Sequence, residues 1–158
     1  MSKKQKRVAS GMALAAVDES SKLIVKGQCH CGSVKLNIVL SDGYKTARRC
    51  DCSLCRMRGA VAVSSEVGGI TVEEGAECLS LYQFNANEAK HYFCRKCGVY
   101  THHQRRSNPN QYGVNVAIID NMSPFDFPQL EVMDGVVHQS DNDGESRVAG
   151  VLRFDRLN

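Results

Sequence analysis

No apolar run in this chain approaches the roughly 20 residues that a membrane-spanning helix needs. The basic residues Lys3, Lys4, Lys6 and Arg7 are followed by only a six-residue stretch, 12–17, that ends at Asp18 and Glu19. A secretory leader needs about 7–15 apolar residues and a small-residue cleavage site, so no export is expected and the predicted compartment is the reducing cytoplasm. A strong charge bias is missing too. The net charge is +3, and the basic residues are spread rather than striped, which leaves no electrostatic footprint for nucleic acid. Sustained helical periodicity is also absent. Short strands separated by turn residues argue a mainly β fold, a sandwich or barrel.

What the chain has in plenty is cysteine, eight in 158 residues. Seven fall into three groups: Cys29-His30-Cys31-Gly32, Cys50-Asp51-Cys52-Ser53-Leu54-Cys55 and Cys94-Arg95-Lys96-Cys97-Gly98. In a reducing compartment clustered cysteines bind metal more often than they pair. Cys-x-Cys neighbours are also poorly placed to bridge each other, which weighs against the alternative of an oxidised framework. Cys94-x-x-Cys97-Gly98 has the spacing of a zinc knuckle, with a glycine that permits the tight turn. Cys29 and Cys31, at i and i+2 on an extended strand, point the same way. The outer pairs together supply four thiolates, enough for one closed structural zinc site. The central cluster supplies three, at spacings that let one loop face one ion. Its fourth position is open to water, a substrate thiolate, a histidine or the solitary Cys78. A second closed site and a regrouping of the clusters are the alternatives. Nothing in the spacing matches an iron–sulfur run.

The chain length suggests one domain. Residues 1–22 are polar and basic and read as a flexible tail, with the domain expected over 23–158. Val34, Leu36, Ile38 and Leu40 alternate with more polar neighbours, which predicts a half-buried strand. Further strands are expected at 60–64, 70–73, 79–84, 90–93, 99–103 and 112–119. Pro124 and Pro128 predict an irregular stretch, and Asp134-Gly135 predicts the turn of a hairpin over 131–138. The last residues read as a frayed strand.

The three-part pattern Gly27-x-Cys29-x-Cys31-Gly32, Cys50-x-Cys52-x-x-Cys55-Arg56 and Phe93-Cys94-x-x-Cys97-Gly98 resembles the glutathione-dependent formaldehyde-activating enzyme family, which also includes centromere protein V. Gly113-Val114-Asn115-Val116 is similar to the family strand after the last cysteine pair. The resemblance spans roughly residues 23–135. It implies a β-tent of stacked antiparallel sheets pinned by zinc, held by Cys29, Cys31, Cys94 and Cys97. It also implies a second, exchangeable zinc on Cys50, Cys52 and Cys55 beside bound glutathione, and a carbon–sulfur lyase activity on S-(hydroxymethyl)glutathione.

The implied chemistry needs a thiolate, and a free thiol near pKa 8.5 is mostly protonated at neutral pH. A zinc with an open position deprotonates a coordinated thiol. Three cysteinates make that zinc a weak Lewis acid, which favours thiol capture over carbonyl activation. Glutathione carries two carboxylates, and Arg48, Arg49, Arg56 and Arg58 flank the cluster. Arginine suits carboxylates through bidentate contacts, so Arg48, Arg49 and Arg56 are the expected glutathione contacts. The bland reading is that they offset cysteinate charge. Cys78 reads as a buried, inert thiol, and His91 and His138 as ordinary strand residues. Of His102 and His103 one is expected to face the core and one solvent, with a proton-donor or ligand role as the alternative. A small-molecule thiol and an aldehyde are the expected partners, for a monomer or a homodimer. The competing function is a zinc-pinned binding module for protein or nucleic acid, which needs no open metal position.

Overall fold

The structure, a computed structural model, describes residues 22–157. The expected tail lies outside those residues except for Lys22. Eleven strands and one short helix follow in order: β1 Leu23–Gln28, β2 Lys35–Leu40, β3 Arg48–Cys50, α1 Ser53–Arg58, β4 Ala62–Glu66, β5 Ile70–Glu74, β6 Leu79–Tyr82, β7 Lys90–Cys94, β8 Tyr100–Gln104, β9 Gln111–Asn115, β10 Gln129–Met133 and β11 Val148–Arg153.

They form two sheets. The smaller has the order β1-β2-β5 and the larger β11-β10-β3-β4-β9-β8-β7-β6. Every ladder is antiparallel but one: β3 runs parallel to β10, with Arg48 opposite Glu131 and Cys50 opposite Met133. The mainly β, two-sheet expectation is met, with that one parallel pair added.

The alternation read from β2 holds in space. Leu36, Ile38 and Leu40 are buried, while Lys35, Asn37 and Val39 are half-buried. The buried face packs with Val63 on β4 and Val114 on β9 into one core cluster that also takes in Val116 and Ile118. Fully burying a side chain of this size stabilises by about 1.5–3 kcal/mol. The Ser65 hydroxyl donates to the Val39 carbonyl at 2.7 Å, tying the small sheet to the large one where their strands approach.

Two expected elements differ. The strand predicted over 112–119 ends at Asn115. Its side chain accepts from Ala117 N at 3.0 Å and caps a single 3-10 turn over Val116–Ile118. A local amide–backbone bond outcompetes the ladder there, and Val116 and Ile118 are buried without being in a strand. The hairpin over 131–138 does not form. Asp134 Oδ1 accepts from Val136 N and Val137 N, which turns the chain out into a loop. The antiparallel partner of β10 is β11, Val148–Arg153. That same strand is the one expected to fray. His138 lies in the loop and caps a 3-10 turn at Gln139–Asp141.

Candidate active site

Both cysteine sets assemble. The Sγ atoms of Cys29, Cys31, Cys94 and Cys97 all lie within 4.8 Å of one another, and so do those of Cys50, Cys52 and Cys55. The first set joins the turn after β1 to the turn between β7 and β8. Cys29 and Cys31 are 3.5 Å apart at sulfur, and Cys31 and Cys94 are 3.7 Å apart. A tetrahedral thiolate site with bonds of about 2.3 Å needs sulfurs about 3.8 Å apart, and a disulfide needs about 2.05 Å. The spacing fits a metal, and all eight cysteines are free. Val34 N donates to Cys29 Sγ at 3.3 Å, and Gly98, at φ 74°, donates its N–H to the Cys94 carbonyl to close the knuckle.

The triplet sits where β3 hands over to α1. Cys50 ends the strand, and Cys52 is the N-cap of the helix, its sulfur accepting from Cys55 N at 3.4 Å. Cys52 N donates to Cys50 Sγ at 3.4 Å. Amide donors aimed at sulfur favour thiolate. Hydrogen bonds from Cys50 and Cys55 hold the Cys52 thiol well below its ordinary range, while the same sharing pushes Cys50 up. Among the described residues no fourth His, Cys, Asp or Glu atom joins this group. Cys78 is buried apart from it and donates to Glu77.

The triplet opens on a cavity of about 550 Å³. Its roof is the loop after β10. Gly135 N donates to Asp51 Oδ1 at 2.6 Å, and a Cβ at position 135 would stand 2.5 Å from Cys50 Sγ. Arg106 fastens the rim by pairing with Glu88 and Asp141. Arg48, Arg49 and Arg56 line this cavity together with the triplet, and none has an acidic partner among the described residues.

The sequence reading placed Arg58 beside the cluster but did not join it to a wall with His91 and His103. Arg58 donates through Nη2 to Cys55 Sγ at 3.3 Å and through Nη1 to His91 Nδ1 at 3.1 Å. Its guanidinium lies 3.5 Å from the centre of the Tyr100 ring. His91 on β7 faces His103 on β8 as a cross-strand pair, and the rings stack at 5.2 Å. Burial and the Arg58 charge push His91 down to about 4, and burial pushes His103 well below 6.5. Arg105, 7% exposed, reaches the cavity between Gln111 Oε1 and Ser64 Oγ, and burial pushes its pKa down to about 10. His102 is buried and His103 half-buried, so the division between core and solvent is in truth one between core and cavity. Strand alternation after the knuckle was the available signal, because it sends successive histidines to opposite faces.

The model of the glutathione-dependent formaldehyde-activating enzyme family matches residues 24–133. The chain belongs to that family. A protein of Halomonas elongata, provisionally named a glutathione-dependent formaldehyde-activating enzyme, is 31% identical over 84 residues, covering 48% of this chain. The match spans about half of that relative, 52% of its length. A crystal structure of a Rhodobacter sphaeroides protein superposes with a TM-score of 0.67 at 54% identity, covering 68% of this chain and 98% of that one. The family match covers both cysteine sets, the wall formed by Arg58, His91 and His103, and the Tyr100 buried against it.

Proposed function

We propose that the protein is a zinc-dependent carbon–sulfur lyase that makes and breaks an adduct of glutathione, or a related thiol, with an aldehyde such as formaldehyde. The observation that carries the reading is the three-sulfur group on the wall of a cavity, with no fourth protein ligand among the described residues. Membership of the family supports it. In this reading Cys29, Cys31, Cys94 and Cys97 hold a structural zinc, and Cys50, Cys52 and Cys55 hold an exchangeable one. When bound at the triplet, zinc supplies an electrophile that keeps a substrate sulfur in its thiolate form at neutral pH.

The chain's own residues do the rest. Arg48, Arg49 and Arg56 present unpaired positive charge to the carboxylates of glutathione. Arg58 places a donor on Cys55 Sγ and spreads the sulfur charge toward the protein. The Asp51–Gly135 hydrogen bond keeps the roof over the triplet and limits water at the reacting carbon. A cytoplasmic location suits both the reduced cysteines and the glutathione.

The test is metal analysis and calorimetry on protein purified without chelator. The expected result is two zinc ions per chain and glutathione binding that disappears when the more exchangeable ion is removed. Cys52→Ser is expected to keep one zinc and lose glutathione binding. Unchanged binding in that variant overturns the reading.

A further inference from the structure

The stacked histidines carry an assignment that follows from hydrogen-bond bookkeeping. Arginine has only donors. The 3.1 Å contact from Arg58 Nη1 therefore makes His91 Nδ1 an acceptor and leaves the His91 proton on Nε2. The Tyr100 hydroxyl has one hydrogen and two contacts, Gly113 O at 3.0 Å and His103 Nδ1 at 2.5 Å, and because a carbonyl only accepts, both contacts carry a hydrogen only if the hydroxyl donates to Gly113 O. With that hydrogen spent, the contact between Tyr100 Oη and His103 Nδ1 at 2.5 Å must draw its hydrogen from the ring. The His103 proton is on Nδ1, and Nε2 carries a lone pair. Neither Nε2 has a hydrogen-bond partner among the described residues, and neither is among the buried atoms left unpartnered, so both reach open space. Both residues line the cavity that holds the triplet. Gly113 makes the arrangement possible, because a Cβ there would overlap the His103 ring.

We infer that His91 and His103 form a donor–acceptor pair on the cavity wall, and that His103 Nε2 is the base for the hydroxyl proton of the thiol–aldehyde adduct. The substrate in this inference rests on the lyase reading above; the two tautomers do not. In cleavage the adduct O–H bond breaks and its proton passes to His103 Nε2. The oxygen electron pair forms the C=O bond, and the C–S pair leaves with sulfur as a thiolate. In the reverse direction His103 returns the proton to oxygen as the C–S bond forms. His91 Nε2–H donates to that same oxygen both ways. A positive imidazolium beside Arg58 is costly, and the negative charge arising on the departing sulfur offsets it. Tyr100 and Arg58 are positioning residues that set the two tautomers.

Nitrogen-15 NMR of histidine-labelled, metal-loaded protein reads the assignment directly. The expected result is His103 protonated at Nδ1 and His91 protonated at Nε2. Tyr100→Phe removes the acceptor for Nδ1–H and is expected to shift His103 toward the Nε2–H form. His103→Asn keeps a donor near the Nδ1 position and removes Nε2. Interconversion of formaldehyde, glutathione and their adduct, followed by exchange NMR, is expected to fall about 100-fold or more in this variant. Its zinc content and calorimetric glutathione affinity stay within about twofold of wild type. His103 protonated at Nε2 in the wild type, or wild-type interconversion in His103→Asn, overturns the inference. If the wild type binds no glutathione and interconverts nothing, the lyase reading fails and the base role falls with it, while the tautomers are still decided by the resonances.

Discussion

Arg58 shows how much of this site hangs on single side chains. One guanidinium serves Cys55 Sγ, His91 Nδ1 and the Tyr100 ring face. A lysine ammonium is a point charge and cannot span all three. Arg58→Lys is expected to cost about 1–3 kcal/mol, the scale of losing charge-assisted hydrogen bonds at partly buried sites, read as a lowered urea midpoint. His102 makes a different prediction. Burial pushes it down to about 4 from 6.5, so in acid the unfolded chain takes up a proton before the folded one does. Its contribution is complete above pH 6.5 and is lost as pH falls toward 4, a change worth about 2 kcal/mol between pH 7.5 and pH 5. His102 Nδ1 contacts Thr101 Oγ1, whose hydrogen goes to the Tyr92 carbonyl, so asparagine can supply the donor without titrating. The stability of His102→Asn should then vary less with pH over that window, and a slope equal to wild type would contradict the assignment. The residue scale is also where the sequence was most and least legible. Cysteine ligands close over two or three residues and can be read by spacing. His91 and His103 meet only through the β7–β8 register, and Arg58 and Tyr100 only through packing, so no local pattern marks them as partners.

Among elements, α1 and the loop after β10 decide whether the triplet is a usable site. α1 is a single-purpose helix of six residues, far below the length at which helices are stable alone. What holds it is its capping by Cys52 and its place between β3 and β4. The loop is held from the other side by Asp51 and by the pairing of Arg106 with Asp141. Gly135 is the tight point, because a Cβ would stand 2.5 Å from Cys50 Sγ and 2.7 Å from the backbone N of Cys52. Gly135→Ala is therefore expected to lift the roof and distort the triplet, at about 1–3 kcal/mol for overpacking. Metal analysis should show zinc falling from two toward one per chain, with the four-cysteine site retained. Two zinc ions in this variant would mean that the loop gives way without disturbing the sulfurs. The strand alternation of β2 was legible because one face is buried and the other is not. The Asp134-Gly135 turn was misread because the same dipeptide signal fits a hairpin and an Asx turn. What chooses here is Asp51, 84 residues away in sequence.

For the molecule as a whole, the two sulfur groups sit in different mechanical positions, and chelation should separate them. Cys29 and Cys31 follow β1 of the small sheet, while Cys94 and Cys97 belong to the β7–β8 turn of the large one, so a metal there closes a contact across 63 residues. Cys29 and Cys94 are buried in the core cluster beside Val34 and Leu36. The triplet is local, spans six residues from the end of β3 to the start of α1, and faces an open cavity. Removing its metal breaks no long-range connection. Structural zinc in small domains contributes on the order of 10 kcal/mol, comparable to a whole domain's net stability. A graded chelator titration should accordingly have two stages. The first zinc leaves with near-ultraviolet circular dichroism intact and with glutathione binding lost. The second leaves together with cooperative unfolding, and Cys97→Ser reproduces that second stage without chelator. A single stage, in which both ions and the fold are lost together, would mean that the triplet also pins the architecture and that its open position is not what sets it apart.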